Sequence, residues 1–532
     1  MHAVLPTPAS HSVNVGRSTG PAASGPWHLR AEPPLATVAE TVRALFRPHL
    51  GSRLLPAASP LPAPEITLAL DPEMPAGRRP FGAAPDGSLE HNESYALRVT
   101  AEGITCRAST LVGVFRAATT ALQLITLAGE GQLLPVQDWS DSPHYAWRGL
   151  MVDPARRFIP VEELRALIDL AALYKLNVLH VHLTDNEGWR IEIPSLPELT
   201  AREASGSGFY TAAQYQELQQ YAADRFITLV PELDLPGHCA ALRTAVPDLP
   251  PAPAPPGLAG RFPYTPPLDL ADPRTRDVVH SVFSDLCAMT TGPFVHIGAD
   301  EALGITEEGF ALAVDELRTM LRALGKRPLA WQESSRAGVS GDDIAQYWVD
   351  PEMMDLPETE EELAQRPDLA DAGFTGELLA AFKRFFAPTA RDVQRVLDGG
   401  GLLLLSPQSH LYLDRRYSAD VAPHDRTEQA ATLGFPSYRP RSVRYTAAWD
   451  PTAHGIPDDR VAGVEATLFA ENFQSFDELT TLLLPRLASV ASIAWNGRPE
   501  PWASHRQSLA HHSKLWRERR LAYFPSTDVD WQ

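Results

Sequence analysis

Apolar and polar residues change rhythm near Trp147. Upstream, residues 66–70 read as a strand. Residues 94–100 and 103–108 alternate on either side of Ala101-Glu102-Gly103, the pattern of a hairpin. Val114, Ala118, Ala121, Leu122 and Ile125 then recur at helical spacing. These elements predict a small α+β unit over residues 26–140. Downstream, apolar runs that mostly end in polar residues alternate with amphipathic stretches, the mark of parallel βα units. Eight runs can be placed, at 149–153, 178–185, 227–234, 294–300, 328–333, 344–349, 401–406 and 461–469. The stretch after the first begins with Pro160, Glu162 and Glu163, which suit a helix N-terminus, and Leu164, Leu167, Ile168 and Ala171 line one face. Eight such strands predict a (β/α)8 TIM barrel over 141–532. An open doubly wound sheet is the alternative, but no Gly-rich phosphate fingerprint follows the first strand.

Other segments fall outside this rhythm. Residues 1–25, rich in Pro, Ala and Ser, are expected to form a disordered tail. Residues 247–267 read as a long Pro-rich loop. Residues 350–398 begin acidic (Glu358, Glu360, Glu361, Glu362) and turn helix-like, an insertion on the side where the strands end. Residues 476–495 and 505–523 predict two closing helices.

Composition removes some functions. A formal net charge of -20 argues against non-specific nucleic-acid binding and against an anionic membrane surface. Cys106, Cys239 and Cys287 are too few and too far apart for a disulfide framework or a zinc site. No apolar run approaches the ~18 residues of a membrane span. The N-terminus lacks a basic start followed by an apolar core, so a cytoplasmic enzyme is expected.

The strand ends carry the chemistry. His296-Ile297-Gly298-Ala299-Asp300-Glu301 is an apolar strand closing on two adjacent acids. Neighbouring side chains on a strand point to opposite faces, so the two acids are expected to do different jobs. The other ends supply Arg148 and Asp153, Asp185, Glu232, Asp234 and His238, then Trp331 and Glu333, Trp348, Tyr412 and Asp414, and Glu471. Carboxylates accept hydrogen bonds from hydroxyls, and indoles stack on pyranose faces. The set therefore fits a carbohydrate better than a phosphate. A divalent-metal site ranks below, because no HExxH or comparable compact motif is present.

At these residues the chain resembles the family 20 glycoside hydrolases, the β-N-acetylhexosaminidases. The resemblance rests on Trp147-Arg148-Gly149-Leu150-Met151-Val152-Asp153, on His180 through Arg190, on Pro231 through His238, on His296 through Glu301 and on Tyr412-Leu413-Asp414. It implies an exo-acting enzyme that removes terminal N-acetylglucosamine, with N-acetylgalactosamine the second candidate, by substrate-assisted retaining catalysis without a cofactor. Glu301 would be the acid/base, Asp300 would orient the acetamide, and Tyr412 would bind its oxygen. Asp185 and His238 would form a relay to Glu301. Arg148, Asp414 and Glu471 would hold the outer hydroxyls, while Trp331, Trp348 and Phe469 would wall the pocket. Phe469 stands where the family generally has tryptophan, and Trp449 is the candidate for the leaving-group subsite. Taken alone, Arg148 also fits a structural salt bridge and His238 a turn. The rival readings are a catalytically impaired sugar-binding barrel and an exo-enzyme that releases a disaccharide.

Overall fold

The computed structural model describes residues 3–531 except 9, 14–18, 89–90, 130, 202–206, 254–264, 368 and 370–374. The N-terminal unit contains β1 (Ser10–Val13), β2 (Thr19–Ala22), β3 (His28–Ala31), β4 (Glu65–Leu70), β5 (Tyr95–Val99), β6 (Gly103–Ala108), β7 (Leu133–Pro135) and β8 (Gln137–Asp141). Six of these form a mixed sheet in the order β1-β8-β5-β6-β4-β3, and β2 pairs with β7. The predicted hairpin is β5–β6, antiparallel with Leu97 opposite Cys106.

Two helices cover this sheet. In α1 (Ala36–Leu50), Val38, Val42, Leu45 and Phe46 form the buried face, at helical spacing. Helix α2 (Leu111–Leu127) starts at Thr110, whose side chain accepts the Gly113 N–H. It is buried almost all round, as expected of a helix with neighbours on every side.

The expectation of a disordered tail over 1–25 is corrected for its described residues, while residues 1–2, 9 and 14–18 lie outside them. Ser10–Val13 pairs with β8 and Thr19–Ala22 with β7, while Val4 and Leu5 are buried. Leu5 exchanges two hydrogen bonds with the Gln123 side chain, at 2.8 and 2.7 Å. Pro and Ser content concealed strands whose stability comes from partners far along the chain.

All eight predicted barrel strands are present, as β9 (Trp147–Val152), β10 (Val178–His182), β11 (Thr228–Glu232), β12 (Phe294–His296), β13 (Arg327–Trp331), β14 (Ile344–Tyr347), β15 (Leu402–Leu405) and β16 (Val461–Leu468). They are parallel and close as β10-β11-β12-β13-β14-β15-β16-β9. Side chains alternate across each strand, so every second residue points inward. Trp147, Val178, Val230, Phe294, Leu329 and Ile344 belong to one apolar cluster that fills the lower barrel. Two residues further on come Gly149, His180, Glu232, His296, Trp331 and Gln346, so the core turns polar toward the strand ends. A Cβ at Gly149 would overlap the Glu465 carboxylate, which crosses the barrel at that level.

The insertion folds as Glu360–Ala364, Gly376–Phe386 and Asp392–Asp398. Much of the expected 247–267 loop lies outside the described residues. The closing helix predicted over 476–495 is two, Phe476–Leu483 and Arg486–Asn496, split at Pro485, which cannot supply a helical N–H. The last helix is Trp502–Glu518. Among the described residues, no helix is long and apolar enough to cross a membrane.

Candidate active site

A cavity of about 370 Å³ opens at the C-terminal ends of the barrel strands, with Asp300 and Glu301 in its wall. The chain turns sharply to place them. Gly298, Ala299 and Glu301 have φ of 71°, 69° and 38°, and a Cβ at Gly298 would overlap Asp234. Left-handed φ at non-glycine residues costs of order 1–3 kcal/mol each and is held only by surrounding contacts. One such contact is the Ala299 N–H donated to Asp234 Oδ1 at 3.1 Å.

The two acids occupy different surroundings. Asp300 is half-buried, with Oδ1 sealed and without a hydrogen-bond partner among the described residues. Desolvation, then the neighbouring Asp234 charge, push its carboxyl well above the usual range. The Glu301 side chain is 36% exposed, with Oε2 3.8 Å from His238 Nε2. His238 Nδ1 hydrogen-bonds Asp185 Oδ1 at 3.0 Å. Burial opposes a charge on His238, but Asp185 holds its pKa up at about 9. Asp185 is fixed from two further sides, by His182 Nε2 at 2.9 Å and Arg156 Nη2 at 2.8 Å. The predicted Asp185–His238–Glu301 set is thus brought together.

Aromatic rings form another part of the wall. Tyr412 lies nearly parallel to Trp348, with centroids 6.2 Å apart and 13° between planes, and 5.4 Å from Phe469. Trp348, Tyr412 and Phe469 line the cavity. Trp331 sits behind them, fully buried, 6.5 Å from Trp348 and 6.4 Å from Phe469. The Trp348 indole donates to Glu333 Oε2 at 3.1 Å. Met353, Leu356, Leu369 and Phe382 of the insertion extend the lining, joined by Phe435 and Tyr438.

At the polar rim, Glu471 lies 3.5 Å from Arg156. Asp414 is buried with neither carboxylate oxygen partnered among the described residues, and desolvation followed by the Glu471 charge raises its pKa well above the usual range.

The expected sugar-binding role of Arg148 is contradicted. Arg148 shares strand parity with Leu150 and Val152, outside the inward row of Trp147, Gly149 and Met151, and it precedes the C-terminal end. It is 0% exposed, and its guanidinium is held by Glu93 of the N-terminal unit at 2.7 Å and by backbone carbonyls including Tyr145 at 2.7 Å. The structural salt bridge is the correct reading. Of the arginines that line the cavity, Arg156 is the one in the loop after β9, tied to Asp153 at 3.1 Å as well as to Asp185. Position past the strand end, rather than before it, was the available signal. Trp449 is also corrected: it is 2% exposed, with its indole donating to His454 at 2.9 Å. His182 and Tyr438 are further cavity residues that strand-end reasoning gave no role.

Four sets of His and carboxylate ligand atoms lie within 4.8 Å of one another among the described residues, including His238, Asp300 and Glu301. Several of these atoms already bond each other. Both nitrogens of His182, for example, are taken by Glu232 and Asp185.

Comparison with known proteins agrees with this geometry. Residues 145–366 and 386–498 match the glycosyl hydrolase family 20 catalytic domain, and residues 1–139 match domain 2 of that family. A β-N-acetylhexosaminidase of Cellulomonas fimi is 34% identical over 485 residues, covering 88% of this chain and 84% of the relative. A β-hexosaminidase of Vibrio furnissii is 30% identical over 437 residues, covering 75% and 64%. Among solved structures, the Streptomyces plicatus N-acetyl-β-hexosaminidase in complex with thio-NAglucal superposes with a TM-score of 0.76 at 28% identity, covering 100% of this chain and 98% of that one. The enzyme of Streptomyces coelicolor A3(2) gives 0.75 at 27%, covering 100% and 99%. The chain belongs to glycosyl hydrolase family 20.

Proposed function

We propose that this protein is an exo-acting β-N-acetylhexosaminidase that hydrolyses terminal N-acetylglucosamine with retention of configuration. The observation that carries the assignment of roles is that the pair Asp300–Glu301 shares one cavity with Tyr412 and Trp348. Family 20 departs from the two-carboxylate scheme because the substrate supplies its own nucleophile. The acetamide oxygen attacks the anomeric carbon, and the glycosidic C–O bond breaks as Glu301 gives its proton to the departing oxygen. Asp300, as a carboxylate, accepts the acetamide N–H and offsets the charge of the oxazolinium. The Tyr412 hydroxyl, which makes no hydrogen bond among the described residues, donates to the acetamide oxygen. Glu301 then takes a proton from water, which opens the oxazolinium at the anomeric carbon.

Asp414, Glu471 and Arg156 bind the outer hydroxyls and close the pocket behind a terminal sugar. An unpaired buried acceptor costs about 1–3 kcal/mol, so the two bare Asp414 oxygens favour a ligand that donates hydroxyl hydrogens. N-acetylgalactosamine is the second candidate sugar. A cytoplasmic setting belongs to the same proposal and accords with three free, buried cysteines.

Replacing Glu301 by Gln keeps its shape and removes the proton. Turnover of an aryl N-acetylglucosaminide is expected to fall about 10²–10⁴-fold with KM little changed. Near wild-type turnover would remove Glu301 from the acid role.

A further inference from the structure

Polar groups inside the barrel continue below the site, and Glu232 is their centre. It is fully buried, and among the described residues its charge is met by histidines rather than by Lys or Arg. One oxygen accepts the Trp331 indole N–H at 2.9 Å, and the other bonds His182 Nδ1 at 2.6 Å. His180 Nε2 lies 3.1 Å from the second oxygen and His296 Nδ1 2.9 Å from the first. A buried carboxylate of this kind is costly, and well-packed apolar residues often stabilise a core as well or better. Stability alone is therefore a poor reason for it.

Its two hydrogen bonds run to two different parts of the site. Through His182, the path continues to Asp185 at 2.9 Å, to His238 at 3.0 Å, and to within 3.8 Å of Glu301. Through Trp331, it reaches the rings beneath the acetamide position, Trp348 and Phe469. We propose that Glu232 is a positioning residue for the reaction, anchoring the acid/base relay and the aromatic wall to one buried carboxylate. The proposal rests on the hexosaminidase reading above.

The geometry defines what Glu232 does. With a carboxylate on each side, both nitrogens of His182 donate, which makes it an imidazolium. Its Nε2–H occupies one Asp185 oxygen and leaves the other for His238, so that His238 Nε2 is the atom facing Glu301. Asp153 and Asp234 add negative charge around His182, while Asp300 and Arg156 bear on His238 with opposite signs. Burial opposes the His182 charge, but Glu232 and Asp185 hold its pKa well above the ordinary value. A group raised in this way keeps its proton at low pH and loses it as pH climbs. Removing the Glu232 charge must then bring that loss to lower pH.

The test uses the full chain, with kcat and KM for an aryl N-acetylglucosaminide measured against pH and folding checked by near-UV circular dichroism. Wild type that releases no N-acetylglucosamine defeats the hexosaminidase reading itself, whatever Glu232 does. Given an active wild type, Glu232→Gln is expected to lower kcat about 10–100-fold, the scale of lost supporting contacts to a reacting group, and to shift the alkaline limb to lower pH with KM little changed. Trp331→Phe keeps the ring and loses the N–H, and is expected to raise KM without moving that limb. A folded Glu232→Gln enzyme with wild-type kcat and an unmoved limb overturns the proposal. An equal limb shift in Trp331→Phe also overturns it, because packing rather than the charged link would be responsible. Should Glu232→Gln fail to fold, His182→Gln cuts the same link, and an unmoved limb there is equally decisive.

Discussion

Asp300 and Glu301 are chain neighbours in different surroundings, and the difference comes from the left-handed turn at Gly298 and Ala299. That turn presses Asp300 against Asp234 and leaves Glu301 toward the cavity. Desolvation and the Asp234 charge raise the Asp300 pKa, so the carboxylate form proposed to accept the acetamide N–H is lost early as pH falls. Asp234→Asn removes that repulsion and is expected to shift the acidic limb of kcat/KM to lower pH. An unmoved limb would mean that Asp234 does not control Asp300. The sequence made Asp300, Glu301, Tyr412, Asp185 and His238 visible because each stands at or just beyond a strand end. Arg148 was misread because its parity turns it out of the barrel. Its partner Glu93 lies in another unit, where no local pattern links the two.

Barrel strands were legible because each is an apolar run buried almost throughout by its neighbours, most with a polar close. The first two strands of the N-terminal unit were not: β1 and β2 are short, Pro- and Ser-rich in context, and stabilised by pairing with Gln137–Asp141 and Leu133–Pro135. Helix α1 follows Pro33-Pro34, a start signal that resembles a linker from sequence alone. The insertion was visible as a break in rhythm, but its contact with the pocket was not. Phe386 meets Trp348 edge-on at 5.5 Å and 84°, and packs against Phe382 at 4.5 Å. The insertion thereby braces a ring of the proposed acetamide wall. Phe386→Ala is expected to raise KM about threefold to tenfold, or ~0.7–1.4 kcal/mol, with kcat nearly unchanged, as for lost uniform binding. Wild-type KM in that variant would leave the insertion without a hold on the site.

The two units are joined by buried polar groups as well as apolar ones. Glu93 binds Arg148 and Arg116, Asp141 approaches Lys175 at 3.4 Å, and Gln123 reaches the Leu173 carbonyl at 2.9 Å. The N-terminal unit therefore braces the barrel away from the cavity, and the site belongs to the strand ends and the loops beyond them. In the proposed reaction, the groups placed there, among them the bare Asp414 carboxylate and the relay behind Glu301, serve a sugar that brings its own nucleophile. The most direct test compares two aryl glycosides that differ only in the 2-acyl group, acetamide against trifluoroacetamide. Fluorine withdraws electrons from the carbonyl oxygen that must attack. Turnover is predicted to fall by orders of magnitude with the fluorinated substrate; equal turnover would contradict substrate assistance and require a nucleophile from the protein.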